Sequence, residues 1–336
     1  MTSTSPRPSL RPVRWTPPSW PERARSRTSS PPLAGVRVLP LPGSGPEDVL
    51  CTPDGSVLTG LVDGRILQVS PAGALVEVAR TGGRPLGLEW LPDGRVLVCD
   101  AVRGLLALEP SSGRLEVLAD GVDGERFAFC NNAAVATDGT IYFTDSSRRF
   151  GVGTWRGAVL EHAGDGRLLR RTPDGAVDVV RDGLEFANGV ALSADESWVA
   201  VAQTGGYTLE RVDVRGDRQG EQERLVDLPG FPDNIATGSD GLIWVAMASS
   251  RNRLLDRLHP RHPRLRHAVW AVPQRLQPGP DRMAWVMAFD PSGALVHDRQ
   301  GRVDGFFMTT GVREQDGVVW MGSLAASALA WFELGE

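Results

Sequence analysis

Four residues with oxygen-bearing side chains, Glu47, Asn131, Asn188 and Asp233, each stand seven positions before an aspartate that opens a tight turn. Those turn aspartates are Asp54, Asp138, Asp195 and Asp240; two more of the same kind, Asp93 and Asp316, lead by the same count to Leu86 and Thr309. Carboxylate and amide oxygens without sulfur or imidazole are hard donors, of the kind calcium gathers in sets of about six to eight. Glu47 and Asp233 would balance its two positive charges. Magnesium and manganese fit the same donors, zinc less well. Confined in a channel without a cation, two carboxylates and two amides would be uncompensated polar burial. The pattern therefore asks for a divalent metal, calcium first.

What would bring these positions together is a repeat. A short apolar run ended by Asp-Gly or a near equivalent, then a second run rich in Val, Leu, Ile, Trp or Tyr, recurs as CTPDGSVLTG, WLPDGRVLVCD, VATDGTIYFTD, LSADESWVAVA, GSDGLIWVAM and REQDGVVWMGS. Such pairs read as β-hairpins, and further hairpin-like stretches such as GRLLRRTPDGAVDVV raise each unit to about four strands. Units of this size and strand count mark an all-β fold, a six-bladed β-propeller with four-stranded blades, whose innermost strands line a central channel. The six counted positions then open the six innermost strands.

Spacings between the turn aspartates are 39, 45, 57, 45 and 76 residues, so one blade is oversized. Its surplus, residues 251–282, holds Leu254, Leu255 and Leu258 at helical spacing until Pro260 and Pro263 stop the pattern. This partly helical insertion is expected over one mouth of the propeller, where long loops tend to be functional. It carries His259, His262 and His267, whose spacing is a poor match to a zinc site. Ring closure is expected from VRVLPL at 36–41 against SALAWFEL at 327–334.

A net charge of −5 gives no electrostatic case for nucleic acid, and no run is long and apolar enough for a membrane span. Cys51, Cys99 and Cys130 are scattered singly, which suggests neither a disulfide framework nor a zinc site. Residues 1–33 are rich in Pro, Ser and Arg and lack a signal-peptide core, so they are expected to be a disordered or loosely packed arm before a propeller at 34–336, in a cytoplasmic protein.

The stretches GRPLGLEWLPDG, NNAAVATDGTIYFTDSS, GLEFANGVALS, LPGFPDNI and GVREQDGVVWMGSL resemble the strictosidine-synthase-like branch of six-bladed propellers, related to paraoxonase and, further off, to the gluconolactonase and regucalcin group. The resemblance covers about residues 36–334. It implies a calcium held by Glu47, Asn131, Asn188 and Asp233, the four residues that spacing selects. It also makes Asn234 a match to a paraoxonase ligand and Asn132 a substrate contact or a support for the ligands. Two positions depart: the paraoxonase histidine corresponds to Leu86, and the catalytic glutamate of strictosidine synthase falls near Thr310. A condensation of amine with aldehyde is thereby disfavoured.

The chemistry that remains is metal-assisted hydrolysis of a lactone or ester, a small-molecule reaction in which Asp233 serves as both ligand and base for the attacking water. Substrate contacts are expected from the loops at 150–155 and 204–207 and from the insertion, with Trp155, Tyr207 and Trp270 as an apolar wall. Asp48 and Glu185 are further neighbours of the proposed ligands. The alternatives are a non-catalytic binding module with a structural metal, and a biosynthetic tailoring enzyme that uses the metal for cyclisation, condensation or isomerisation.

Overall fold

The structure, a computed structural model, describes residues 7–261, 263–273, 279 and 281–335. Five antiparallel four-stranded sheets follow in chain order. They run from Leu50–Cys51 to Leu75–Arg80, from Pro85–Trp90 to Arg114–Ala119, from Cys130–Val135 to Val177–Leu184, from Ala187–Leu192 to Gln222–Asp227, and from Gly230–Thr237 to Leu295–Gly301. The sixth takes three strands from the end of the chain, Thr309–Gln315, Val318–Ser323 and Ala328–Glu333, and its fourth, Arg37–Pro40, from the beginning. Arg37 faces Trp331 and Pro40 faces Ala328, so the expected closure of a six-bladed ring is present.

The first hairpin of each blade turns as the repeat requires. In five of them the aspartate carboxylate accepts the N–H two residues on, as Asp54 does from Ser56 (3.1 Å) and Asp138 from Thr140 (2.8 Å). The next residue has a positive φ, which explains the glycines. In the fourth blade Glu196 holds that conformation at φ 55°.

Successive strand residues point to opposite faces, and here both faces are covered by neighbouring blades. In the fifth blade Trp244 and Ala246 pack with Val312 and Met321 of the sixth, whereas Ile243, Val245 and Met247 pack with Ala200 and Leu209 of the fourth. Six such apolar layers, one between each pair of adjacent blades, make up the core. Cys99 and Cys130 belong to the layer between the second and third blades, while Cys51 is only partly buried.

A seventh apolar cluster lies over one mouth of the channel. It is built from helix α1 (Arg156–Glu161), carried between the second and third strands of the third blade, and from helices α2 (Arg253–Leu258) and α3 (Arg264–Ala271), carried at the same place in the fifth. The insertion was legible as the 76-residue spacing; the crossing segment of the third blade lay hidden in the spacing of 57. Asn252 caps α2 by accepting from Leu254 and Leu255 N–H. None of the described helices is long and apolar enough to cross a membrane.

The described part of the arm packs against this lid, which its composition did not suggest. Leu10 is buried among Phe150, Leu160 and Trp270, and the Trp15 ring lies 3.8 Å from that of His162 and 5.2 Å from that of His259. Buried Arg251 donates to the carbonyls of Pro18 and Ser19, and buried Arg266 to that of Val13. Further along, Arg23 pairs with Asp298 and Leu33 is buried. Composition reports whether a segment can build its own core, and this one instead lends Trp15, Trp20 and its carbonyls to a surface already formed. Deleting residues 1–33 is therefore expected to lower the melting temperature by more than about 5 °C. An unchanged melt would show that these contacts add nothing.

Burial of His259, reinforced by His162 and Arg266, pulls its imidazole down to about 3 although Val159 O opposes the shift. Its folded-state value lies below the unfolded value of about 6.5, so the unfolded chain binds a proton that the folded chain refuses. This contribution to stability is complete above about pH 6.5 and is lost as pH falls toward 3, with a slope of up to about 1.4 kcal/mol per pH unit. Unfolding titrations of the wild type and His259→Phe between these limits check it. The expected outcome is a shallower acid limb for the variant.

Candidate metal centre and substrate pocket

In five blades the innermost strand starts with a break in register: between Pro85 and Leu88, Cys130 and Ala133, Ala187 and Val190, Pro232 and Ile235, and Thr309 and Gly311. A bulge at this point turns side chains out of the pleat, which is why such features recur beside sites. Asn131, Asn188 and Asp233 all lie inside these breaks. Together with Glu47, from the segment that enters the first blade, they line a single cavity of about 220 Å³ at the lidded mouth.

In the first five blades the next residue follows its own alternation, Asp48, Gly87, Asn132, Gly189 and Asn234; in the sixth, Gly311, two residues after Thr309, takes this place. Asp48 Oδ2 accepts from Leu88 N–H (3.0 Å), and Asn132 Oδ1 accepts from Val190 N–H (2.9 Å), so each ties its blade to the following one. The intervening glycines leave room for this. A Cβ at Gly87 would come within 2.9 Å of Asn132 Nδ2, and one at Gly311 within 2.7 Å of Asp48 Cα. Asn132 is thus placed as a bridge between blades. Asn234 is buried, and both its amide atoms are without a hydrogen-bond partner.

The two asparagines are held through their amide nitrogens. Asn131 Nδ2 donates to Ser146 Oγ (2.8 Å), and Asn188 Nδ2 donates to Thr204 Oγ1 (3.1 Å) and Asp233 Oδ1 (2.8 Å). Both Oδ1 atoms are buried and unpartnered. Arg84 Nη2 donates to Glu47 Oε2 (3.2 Å), and Thr310 Oγ1 donates to the Glu47 carbonyl (3.0 Å). Burial pushes the Glu47 carboxyl up to about 7, with Arg84 opposing and Asp48 adding. Burial also holds Asp233 well above the carboxylate range; Glu47 adds to this and Asn188 opposes it. Two like charges and two orphaned amide oxygens, all hard donors, are what a buried divalent cation such as calcium could satisfy.

Arg84, Ser146 and Thr204 were not foreseen. Ser146 and Thr204 could have been, since each directly follows the second strand of its blade, 15 or 16 residues after the asparagine it holds. Arg84 carries no such signal, because its partner Glu47 belongs to another blade.

The cavity wall is apolar, with Phe129, Trp155, Leu160, Phe186, Phe231 and Leu258 among its lining. Trp155 stands where a substrate wall was expected, whereas two of its expected partners lie behind it. Tyr207 is fully buried, its hydroxyl donating to Asp256 (2.9 Å), and Trp270 Nε1 donates to the Pro8 carbonyl (3.1 Å). Leu86 is buried in the lid cluster, and Thr309 Oγ1 accepts from Trp285 N–H (3.1 Å), a link from the sixth blade to the fifth. The histidines of the insertion are not brought together: His259 is buried, His267 is exposed, and His262 lies outside the described residues. Glu185 sits 2.6 Å from His162, away from the channel set. Among the described residues no group of three or more His, Cys, Asp or Glu side chains is gathered for a metal, and the candidate set depends on its amides.

The sequence profile of the SMP-30/gluconolactonase/LRE-like region matches residues 57–278, and that of the strictosidine synthase-like N-terminal region matches residues 30–69. Adipocyte plasma membrane-associated protein of Salmo salar is 33% identical over 321 residues, covering 87% of this chain and 76% of that one. Strictosidine synthase-like protein 10 of Arabidopsis thaliana is 33% identical over 348 residues, covering 94% and 91%. Among solved structures, a gluconolactonase from Xanthomonas campestris superposes with a TM-score of 0.65 at 18% identity, covering 98% and 99% of the two chains. A calcium-binding regucalcin from Agrobacterium tumefaciens gives 0.62 at 15% identity, covering 90% and 94%, and at these identities both likenesses concern the fold. With a profile match over most of its length, and with relatives a third identical across the propeller, the chain belongs to the SMP-30/gluconolactonase/LRE-like family, on its strictosidine-synthase-like side.

Proposed function

We propose that this protein is a calcium-dependent hydrolase of a lactone or ester whose body is apolar. The observation that carries the reading is the convergence of Glu47, Asn131, Asn188 and Asp233 on the floor of one apolar cavity, with the two asparagine Oδ1 atoms buried and unpartnered. Family membership supports it at the level of lactonase-like relatives.

A calcium held by these four residues would polarise the substrate carbonyl and stabilise the charge that develops on its oxygen. The rest falls to the chain. Asn188 Nδ2 fixes Asp233 through Oδ1, which leaves Oδ2 to take the proton of the attacking water. Oxygen adds to the carbonyl carbon, the ester C–O bond breaks, and the proton returns from Asp233 to the departing alkoxide. No histidine lines the cavity among the described residues, Leu86 and Thr310 offer neither an imidazole nor a carboxylate, and the other carboxylate there, Glu47, is paired with Arg84, which leaves Asp233 as the base of this reading. Phe129, Trp155 and Phe231 would hold an alkyl or aryl body and exclude water from it.

A screen of lactones and aryl esters with calcium added or chelated tests the reading. Chelator-sensitive turnover, faster for apolar than for polyhydroxylated lactones, is expected; tight calcium binding with no turnover on any of them would favour a binding module.

Two substitutions separate the roles. Asp233→Asn is expected to lower kcat by about 10² to 10⁴ while direct measurement still finds the metal bound, because the amide keeps a donor oxygen but takes no proton. Glu47→Gln should weaken calcium binding and regain activity in excess calcium. Equal and fully rescuable defects would leave Asp233 a ligand only and move the base elsewhere.

A further inference from the structure

The charge of the chain is divided between its faces. Residues 7–33 carry six arginines against one acidic residue, and residues 251–282 carry eight against two, an excess of eleven positive charges in a chain whose net charge is −5. The remainder of the propeller is left at −16. The start of the arm and the helices α2 and α3 meet at the lidded mouth, where Trp15 N–H donates to the His259 carbonyl (3.3 Å) and Trp20 Nε1 to Asp256 (2.9 Å), while Arg23 and Arg27 pair with Asp298 and Asp281.

Within this lid the two signs of charge point in opposite directions. Glu161 is buried and paired with Arg149, and Asp256 is turned inward to Trp20, Tyr207 and Arg251. Arg11, Arg14, Arg253, Arg257 and Arg261 are exposed. Apolar side chains stand between them: Val13 on the arm is 50% exposed, Leu254 on α2 is 55% and Leu265 on α3 is 46%. Leu254 also lines the substrate cavity, so this face holds the mouth.

We infer that the lid face is a docking surface for an anionic lipid bilayer. The charge complementarity is long-ranged and one-sided, with a basic lid in front and an acidic propeller behind, so an anionic surface would orient the molecule mouth-first. The exposed Val and Leu select a bilayer over a nucleic acid. A membrane interface accepts shallow apolar side chains between arginines whose heads stay at the phosphates, whereas a duplex offers polar edges and phosphates alone. The chain contains no lysine, and guanidinium groups, less strongly hydrated than ammonium, suit that interface. Docking would bring the apolar cavity against the layer in which apolar esters concentrate. The inference stands whether or not the protein hydrolyses them.

The test is cosedimentation of the full-length protein with phosphatidylcholine vesicles, with and without phosphatidylglycerol, at low and high salt. Binding is expected only with phosphatidylglycerol and should fall steeply with salt. Reversing Arg14, Arg257 and Arg261 to Glu together should weaken it by on the order of 100-fold or more, at roughly fivefold per arginine. Leu265→Asp, with every arginine kept, should weaken it as well, and thermal melts of both variants would confirm that the lid still folds. The inference is overturned if both lipid compositions bind alike, if neither binds, or if the triple variant binds as the wild type does. Tighter binding to a DNA duplex than to vesicles, insensitive to Leu265→Asp, would assign the face to a polyanion instead and also overturn it.

Discussion

Pairing of Arg37–Pro40 with Ala328–Trp331 is the constraint on which the rest of this molecule hangs, because it joins the two ends of the ring in one sheet. A blade buries both faces only if it has a neighbour on each side, and the sixth blade is complete only with a strand from the start of the chain. That strand leads directly into the segment bearing Glu47. The pairing that closes the core therefore also places Glu47, beside Thr310 of the sixth blade and Arg84 of the second, across the channel mouth from Asp233.

With both faces of every blade committed to packing, polar chemistry is confined to the edges and the two mouths. At one mouth the innermost strands break register, and successive residues divide two tasks. The first residue of each break faces the cavity in three blades. The next either reaches the following blade, as Asn132 does to Val190, or is a glycine that lets a neighbour approach. Buried groups left without partners are rare in folded proteins, so the orphaned oxygens of Asn131 and Asn188 and the unpartnered amide of Asn234 stand out against this otherwise satisfied network. They lie where two buried carboxylates repel one another, an arrangement a divalent cation would relieve.

The lid converts that open mouth into a cavity. Three helices carried by two blades supply part of its apolar wall, and the arm fastens them from outside through Leu10, Trp15 and the carbonyls taken by Arg251 and Arg266. Sorting of charge follows from the same construction. The acidic groups Glu161 and Asp256 are consumed in holding arm and helices together, while Arg11, Arg14, Arg253, Arg257 and Arg261 on the same arm and helices are exposed.

Sequence alone determined the ring. Asp-Gly turns and two-sided apolar strands are local patterns with a fixed period, so six blades, the closing strands and the insertion could be read from one chain. The same fixed offset from each turn picked out Glu47, Asn131, Asn188 and Asp233, because in those blades the chain meets the channel at the same distance from its hairpin; in the sixth the offset lands on Thr309, which bonds to the fifth blade instead. What the tertiary structure decided depends on contacts between blades, for which sequence offers no period. It placed Tyr207 and Trp270 behind the cavity wall rather than in it, made Asn132 a bridge to the fourth blade, and paired Arg84 with a glutamate of a different blade. It also seated the arm. A segment poor in apolar residues has no pattern of its own to announce burial, and only the finished lid, with Arg251 and Arg266 ready to donate to its carbonyls, gives it a place to lie.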